Sequence, residues 1–212
     1  MSRHLLLGWL IWLLISLTIN LAIDSPRSVW TNDTLRPSVR GLTQSIVIGL
    51  VLIWPVWRLS QRRGRYTGFQ TAADLFVLLL TAQIPLAGMM VWAGWPPRHL
   101  LLVDLIVVSY TCGAAVMVWL GWRSGTFPAR VSAAAGCGVL LLGGWGAFAL
   151  GGSAELALWS PNYLLWSLAH PLTELPAEQV LWRAAVVAGA ALALWLAGLG
   201  LGGRGGAGMG RL

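Results

Sequence analysis

The sequence predicts an all-α polytopic membrane protein with about six transmembrane helices and an interfacial or re-entrant segment between helices 5 and 6. Hydrophobic residues make up 57% of the 212 positions and charged residues only 10%, whereas a soluble domain carries about 25% charged residues. The apolar residues form runs close to the length that a helix needs to cross a bilayer. Arginines stand at the ends of these runs, a pattern typical of membrane topology that argues against a nucleic-acid partner.

The first two spans are separated by a polar segment of mixed charge. The apolar run Leu5–Ile23 is too long for the core of a signal peptide, so we interpret it as an uncleaved span that starts in the cytoplasm. The segment Asp24–Arg40 is predicted to be an extracytoplasmic loop. The second span is predicted at about Gly41–Trp57, with Pro55 in its last turn.

The stretch Arg58–Arg65 has the highest density of charge in the chain and sets the predicted orientation. Four of its residues are arginine, and cytoplasmic loops of membrane proteins carry an excess of basic residues. We therefore expect this stretch to be a cytoplasmic loop from which the later spans alternate. The arginines that anchor this topology are Arg58, Arg62, Arg63 and Arg65.

The other spans follow from the remaining apolar runs, with Pro85 inside the third. They are predicted at Thr71–Trp92, Leu100–Leu120, Val131–Leu150 and Val180–Gly200. Between the last two lies the segment Gly151–Glu178, whose apolar middle is interrupted by Ser-Pro-Asn and is too short to span a bilayer. Residues 1–202 are thus predicted to form a single transmembrane domain, and residues 203–212 a flexible, cytoplasmic Gly/Arg tail.

Six spans place both termini in the cytoplasm, with most of the acidic residues on the outer side. All basic residues other than histidine are arginine, and Gly, Ala, Leu and Trp are abundant. This usage indicates a GC-rich bacterial genome, so we expect the inner (plasma) membrane as the location. Near the outer end of the last span, Arg183 is expected to pair with Glu174 or Glu178, or to extend to the interface.

Two aspartates lie within predicted spans, where a charge at the bilayer centre costs about 2.5–3.5 kcal/mol. Asp74 is close to the cytoplasmic start of the third span, and Asp104 about one turn inside the outer end of the fourth. Each is followed at a helical spacing by a threonine on the same face, Thr81 and Thr111. These four residues are candidates for a polar path between transmembrane helices 3 and 4. The alternative is that both aspartates contact headgroups or arginines near the interface.

The last span carries small residues at every fourth position. They are Ala185, Gly189, Ala193 and Ala197. Such a face lets the backbone of a second helix approach closely. The face serves either packing within this chain or the docking of a separate membrane subunit, and the sequence leaves both open.

Histidine and tryptophan are the remaining candidates for a bound group. His99 and His170 are both predicted on the outer side and could hold a cofactor or metal, but no motif spacing indicates either, and interfacial histidines are the alternative. The 14 tryptophans include three pairs at span ends that fit an aromatic belt or, alternatively, a pigment, quinone or haem contact. These pairs are Trp54 and Trp57, Trp92 and Trp95, and Trp119 and Trp122.

No Walker, GxSxG or HExxH motif is present in the sequence, and this favours a protein that is not an enzyme. The leading expectation is a non-catalytic integral subunit of a larger bacterial membrane complex of the respiratory, photosynthetic or transport type. Its expected partners are the lipid bilayer and other membrane subunits. The alternative is a small solute or ion transporter that uses the polar path between helices 3 and 4.

Overall fold

The computed structural model describes residues 3–24, 32–61, 68–169 and 176–202, and every regular element within them is helical. Six helical stretches are long and apolar enough to cross a membrane, which confirms the predicted helical class and fits a transmembrane protein. The elements are α1 (Arg3–Asp24), α2 (Asn32–Ile48), a π-helical segment (Gly49–Ile53), α3 (Trp54–Ser60), α4 (Gly68–Trp92), α5 (Pro97–Arg123), α6 (Phe127–Ala149), α7 (Ala154–Ala157), α8 (Pro161–Ala169) and α9 (Ala177–Gly202). The predicted tail, 203–212, lies outside the described residues.

The second membrane-length helix begins earlier than the sequence predicted. The segment expected to be a loop up to residue 40 is helical from Asn32 onward. Its residues Leu35, Val39, Leu42 and Ile46 are all buried, and their spacing of three to four residues is that of one helix face. The polar composition of this segment and Pro37 inside the helix concealed the periodicity.

Pro55 explains the π-helical segment between α2 and α3. A proline has no N–H group, and its ring crowds the carbonyl four residues earlier. The segment Gly49–Ile53 has the wider π-turn, closed by a bond from the Trp54 N–H group to the Gly49 carbonyl, and α3 then begins with Pro55 in its first turn. The wide turn thus accommodates the proline, and the chain continues as a helix on both sides.

Helix α1 packs closely against this second membrane-length helix because glycines of each helix face tryptophans of the other. A Cβ atom added at Gly49 would lie 2.7 Å from Cζ3 of Trp9 and 2.5 Å from Nε1 of Trp12. The Trp12 indole N–H donates a hydrogen bond of 3.1 Å to the Ser45 carbonyl, and Gly8 of α1 meets the Trp57 ring in the same way. Small residues at such positions allow close helix contact.

The short helices α7 and α8 form a wedge between the longer helices. The Tyr110 hydroxyl, near the middle of α5, donates a hydrogen bond of 2.8 Å to the Trp159 carbonyl in the turn between them. The buried Ser160 hydroxyl donates to the Leu141 carbonyl of α6 at 2.7 Å, and the Gln44 amide of α2 lies 3.5 Å from the Asn162 carbonyl. The wedge therefore reaches deep into the bundle and contacts three different helices.

Contacts of residues near the helix ends show which ends lie together. The Trp122 indole N–H donates to the Arg58 carbonyl at 3.2 Å, and Arg130 donates to the Gln61 carbonyl at 3.2 Å. Arg123 donates to the Gly198 carbonyl near the end of α9. The end of α3, the α5–α6 loop and the end of α9 thus form one end of the molecule, which we call the basic end.

Candidate functional site

The basic end is built around a buried ion pair between α3 and α4. Arg58 and Asp74 are 7% and 0% exposed. The Arg58 Nε donates to Oδ2 of Asp74 at 2.7 Å, its Nη2 contacts the same oxygen, and its Nη1 donates to Oε1 of Gln61 at 2.7 Å. Asp74 therefore has its charge compensated by the arginine that closes the preceding helix.

This ion pair continues into a network that joins four helices. The Trp122 indole of α5 is held by the Arg58 carbonyl, and the guanidinium of Arg130, in the first turn of α6, lies 4.2 Å from the centre of the Trp122 ring. Such stacking of a cation on an indole face is favourable because the ring face is electron-rich. We call Arg58, Gln61, Asp74, Trp122 and Arg130 the arginine–tryptophan network.

A second aromatic contact joins α5 to α9 at the same end. The rings of Trp119 and Trp195 are stacked with centroids 5.1 Å apart, and the Arg123 guanidinium lies 5.4 Å from the Trp119 ring centre. Trp119 is only 6% exposed, and Trp54 only 3%. The helix packing thus includes Trp119 of the sequence pair Trp119 and Trp122, and Trp54 of the pair Trp54 and Trp57. Trp57 itself is exposed.

The four residues of the predicted polar path contact different helices. Asp74 contacts α3, as described above, and the Thr81 hydroxyl accepts a hydrogen bond of 2.9 Å from the Trp9 indole of α1. Asp104 accepts a hydrogen bond of 3.0 Å from the Gln83 amide, which is a direct link between α4 and α5. The buried Thr111 hydroxyl donates to a carbonyl of its own helix.

The small residues of α9 lie on its outward face. Ala185, Gly189, Ala193 and Ala197 are all exposed. The opposite face, with Val180, Ala184, Ala191 and Gly198, is buried, and Gly198 meets the Trp119 ring of α5 there. A Cβ atom added at Gly189 would find no atom within 4 Å. The small-residue face is therefore not used for packing among the described residues.

The other predicted site residues are dispersed or lie outside the described part of the chain. His99 lies in the first turn of α5 and contacts the Trp95 ring edge-on, with centroids 6.0 Å apart. His170 and the anchors Arg62, Arg63 and Arg65 fall outside the described residues. Within the described ranges, no three His, Cys, Asp or Glu side chains are grouped so that they could hold a metal ion.

Arg183, near the outer end of α9, is bonded within its own helix. It is 9% exposed, and its Nη1 donates to the carbonyl and side-chain oxygen of Gln179, one turn earlier, at 3.2 and 3.3 Å. No described carboxylate pairs with it, and its Nε has no hydrogen-bond partner. Glu174, one of the two partners expected for Arg183, lies outside the described residues, so its pairing and its reach to the interface stay predictions.

Comparison of the chain with protein-family models, curated proteins and solved structures gives no match. Two features of the molecule itself bear on its function. One is the arginine–tryptophan network at the basic end. The other is the exposed small-residue face of α9.

Proposed function

We propose that this protein is an integral subunit of a larger bacterial membrane complex, and that it docks a helix of a neighbouring subunit on the small-residue face of α9. In this proposal the chain spans the inner membrane six times, with both termini in the cytoplasm and the basic end on the cytoplasmic side. The exposed face formed by Ala185, Gly189, Ala193 and Ala197 is the observation that carries the proposal.

The charge distribution supports the orientation. With the six helices alternating, nine of the 14 arginines fall in the segments at the basic end, and Asp74 is the single acidic residue there. The positive-inside rule assigns such an end to the cytoplasm. The opposite end receives the remaining acidic residues, so the two ends differ clearly in charge.

Exposure of apolar side chains does not by itself indicate a partner, because a bilayer covers such surfaces. Large residues on α6, such as Val139 and Leu142, are exposed in the same way. The α9 face is different because small residues repeat along it at every fourth position, which brings a second helix backbone into close van der Waals contact. Lipid chains gain little from such a flat strip, whereas a helix gains contact along its length.

The structure gives less support to transport along the predicted polar path. Asp74 is compensated by Arg58, and the two threonine hydroxyls bond to carbonyls within their own helices. The Gln83–Asp104 hydrogen bond is the one direct polar contact found between α4 and α5 for these four residues in the described ranges. A subunit role uses the exposed features of the molecule, and a transport role does not.

The test replaces Gly189 with leucine in the native host and compares it with a matched glycine. A leucine at 189 is accommodated within this chain because its Cβ has open space, but it would hold a docked helix away. Gly88 of α4 is also exposed, with open space for a Cβ, so Gly88→Leu is the control. We expect Gly189→Leu to shift the protein to a smaller species in native gels after mild-detergent extraction, and Gly88→Leu to leave its size unchanged.

Two outcomes would contradict the subunit proposal. One is a wild-type protein that migrates alone, with no stoichiometric partner in mass spectrometry of the extracted species. The other is an assembly of unchanged size in the Gly189→Leu variant. If the co-migrating partner proves to be a second copy of this chain, the docking face stands and the heteromeric part of the proposal fails.

A further inference from the structure

Positive charge at the basic end exceeds what the described acidic residues compensate. Asp74 is the only acid that the helix alternation places at this end, and it is engaged by Arg58. Arg130 has no carboxylate partner among the described residues. Its charge is therefore available to an anion from outside the chain.

The guanidinium of Arg130 is held in a fixed place. Its Nη1 donates 3.2 Å to the Gln61 carbonyl, and its plane is supported by the Trp122 ring at 4.2 Å. Trp122 is itself fixed by its hydrogen bond to the Arg58 carbonyl. The side chain remains partly exposed, although its Nε is buried without a hydrogen-bond partner, so the exposed part of the guanidinium is what an anion can reach. A positioned arginine of this kind binds a phosphate group with little loss of side-chain entropy.

The start of α6 adds positive potential at the same place. Arg130 lies in the first turn of this helix, which has no acidic residue in its first turn and no capping hydrogen bond from the Thr126 side chain. A helix N-terminus carries a partial positive charge, and a cation there is unfavourable unless an anion is close. The local electrostatics thus add to the attraction that Arg130 exerts on an anion.

Exposed apolar side chains lie beside Arg130 on the surface of α6. Phe127 is 78% exposed and Val131 50% exposed, and both flank Arg130 at the end of a membrane-length helix. Exposed apolar side chains next to a fixed cation match a molecule with an acyl chain and a charged headgroup. A free phosphate ion would leave Phe127 and Val131 in contact with water.

We propose that Arg130, supported by Trp122 and Gln61, binds the phosphodiester group of an anionic phospholipid in the leaflet at the basic end, with the acyl chains against Phe127 and α6. The site rests on the membrane placement proposed above and is independent of docking on α9. Its role is to hold a lipid where α3, α5 and α6 meet, so the network is completed by a group from the membrane.

The test measures lipid retention by the full chain. Wild-type and Arg130→Gln proteins are reconstituted in nanodiscs with equal amounts of phosphatidylglycerol and phosphatidylcholine, and retained lipid is measured by native mass spectrometry. We expect retained phosphatidylglycerol to fall about fivefold in Arg130→Gln, as for the loss of one arginine near an anionic surface. Retained phosphatidylcholine should not change.

Arg98→Gln is the matched control. Arg98 is an exposed arginine in the first turn of α5, which also begins without an acidic residue or a capping hydrogen bond. Within the described residues, no ring stacking or hydrogen bond holds its guanidinium. We therefore expect Arg98→Gln to retain phosphatidylglycerol like the wild type. An equal loss in both variants would overturn the proposal, because any surface arginine would then suffice.

Two further measurements, on an Arg130→Lys variant and on the thermal stability of the wild type, also test the lipid site. If Arg130→Gln does not fold, Arg130→Lys keeps the charge but loses the planar contacts, and unchanged phosphatidylglycerol retention in that variant would overturn the site. Thermal stability of the wild type in detergent is also measured with inorganic phosphate and with phosphatidylglycerol. Stabilisation by phosphatidylglycerol alone supports the lipid site, whereas equal stabilisation by free phosphate overturns it. A failed Gly189→Leu test leaves these results unaffected, so the two proposals fail separately.

Discussion

The inner and outer helices of the bundle differ in how much of their surface the chain itself covers. In α5 and in the helix from residue 35 to 60, 56% of the residues in the most apolar stretch are buried, whereas in α6 and α9 the share is 17%. The inner helices therefore carry the side-chain contacts that specify the fold. The outer helices contribute one narrow buried stripe each and leave most of their surface exposed.

The nature of the contacts differs in the same way. The inner helix from residue 35 to 60 is held by interlocking side chains of its neighbours. Trp9 and Trp12 of α1 pack against its Gly49, and Asp74 of α4 pairs with its Arg58. On the outward face of α9 even an added Cβ at Gly189 meets nothing. Folding stability and the partner docking proposed for α9 thus depend on different helices. Substitutions in the inner helices should therefore change stability, and substitutions on the outward face of α9 should leave it unchanged.

The largest effect is expected from Asp74→Ala. This variant leaves the Arg58 guanidinium buried without its carboxylate, and breaking a buried ion pair from one side costs about 3–5 kcal/mol. The free energy of unfolding in detergent, followed by SDS titration, should fall by that amount. The double variant Arg58→Met, Asp74→Leu removes both charges and should recover most of the loss.

Asp104→Ala serves as the control for that measurement. Asp104 is partly buried and accepts a hydrogen bond from the neutral Gln83 amide, so its removal should cost only about 1–2 kcal/mol. If Asp74→Ala were no more destabilising than Asp104→Ala, the ion pair would not be a principal contact of the inner helices.

The second prediction concerns close packing in the inner helices. The added methyl group of Gly49→Ala would lie 2.7 Å from Trp9 and 2.5 Å from Trp12, and insertion of a methyl group into such a contact costs about 1–3 kcal/mol. The same substitution at Gly88 meets no atom within 4 Å and should be neutral or slightly stabilising, since alanine favours a helix over glycine. Equal stability of the two variants in the SDS titration would contradict the difference between inner and outer positions.

Much of the fold could be predicted because bilayer thickness requires long apolar runs, and these are visible without any knowledge of packing. The six apolar runs followed from this requirement, and the Ser-Pro-Asn sequence marked where α8 begins. The start of α2 at Asn32 could not be predicted in the same way, because its buried residues are interspersed with polar ones. The spacing of Leu35, Val39 and Leu42 was the available signal.

The site was less predictable because it depends on contacts between distant segments. An arginine partner for Asp74 was one of the alternatives that the sequence left open, but Arg58 itself was predicted only as a topology anchor. Arg130 and Trp122 showed no motif, since cation–ring stacking requires only that two side chains meet in space. The exposure of the α9 face could not be decided either, because a small-residue repeat fits packing inside the chain equally well.

The smallest effect is expected from Tyr110→Phe, which tests how the α7–α8 wedge is attached to both sets of helices. The variant removes the hydrogen bond to the Trp159 carbonyl but keeps the buried ring. Hydrogen bonds between membrane helices contribute about 0.6 kcal/mol on average, and the fully buried Leu164 of α8 and the Ser160 hydrogen bond to α6 remain. We expect global unfolding to change by about that amount, with faster hydrogen exchange confined to residues 154–169. Faster exchange throughout α5 would instead mean that this hydrogen bond organises the inner helices, since the wedge would then be part of the packing that specifies the fold.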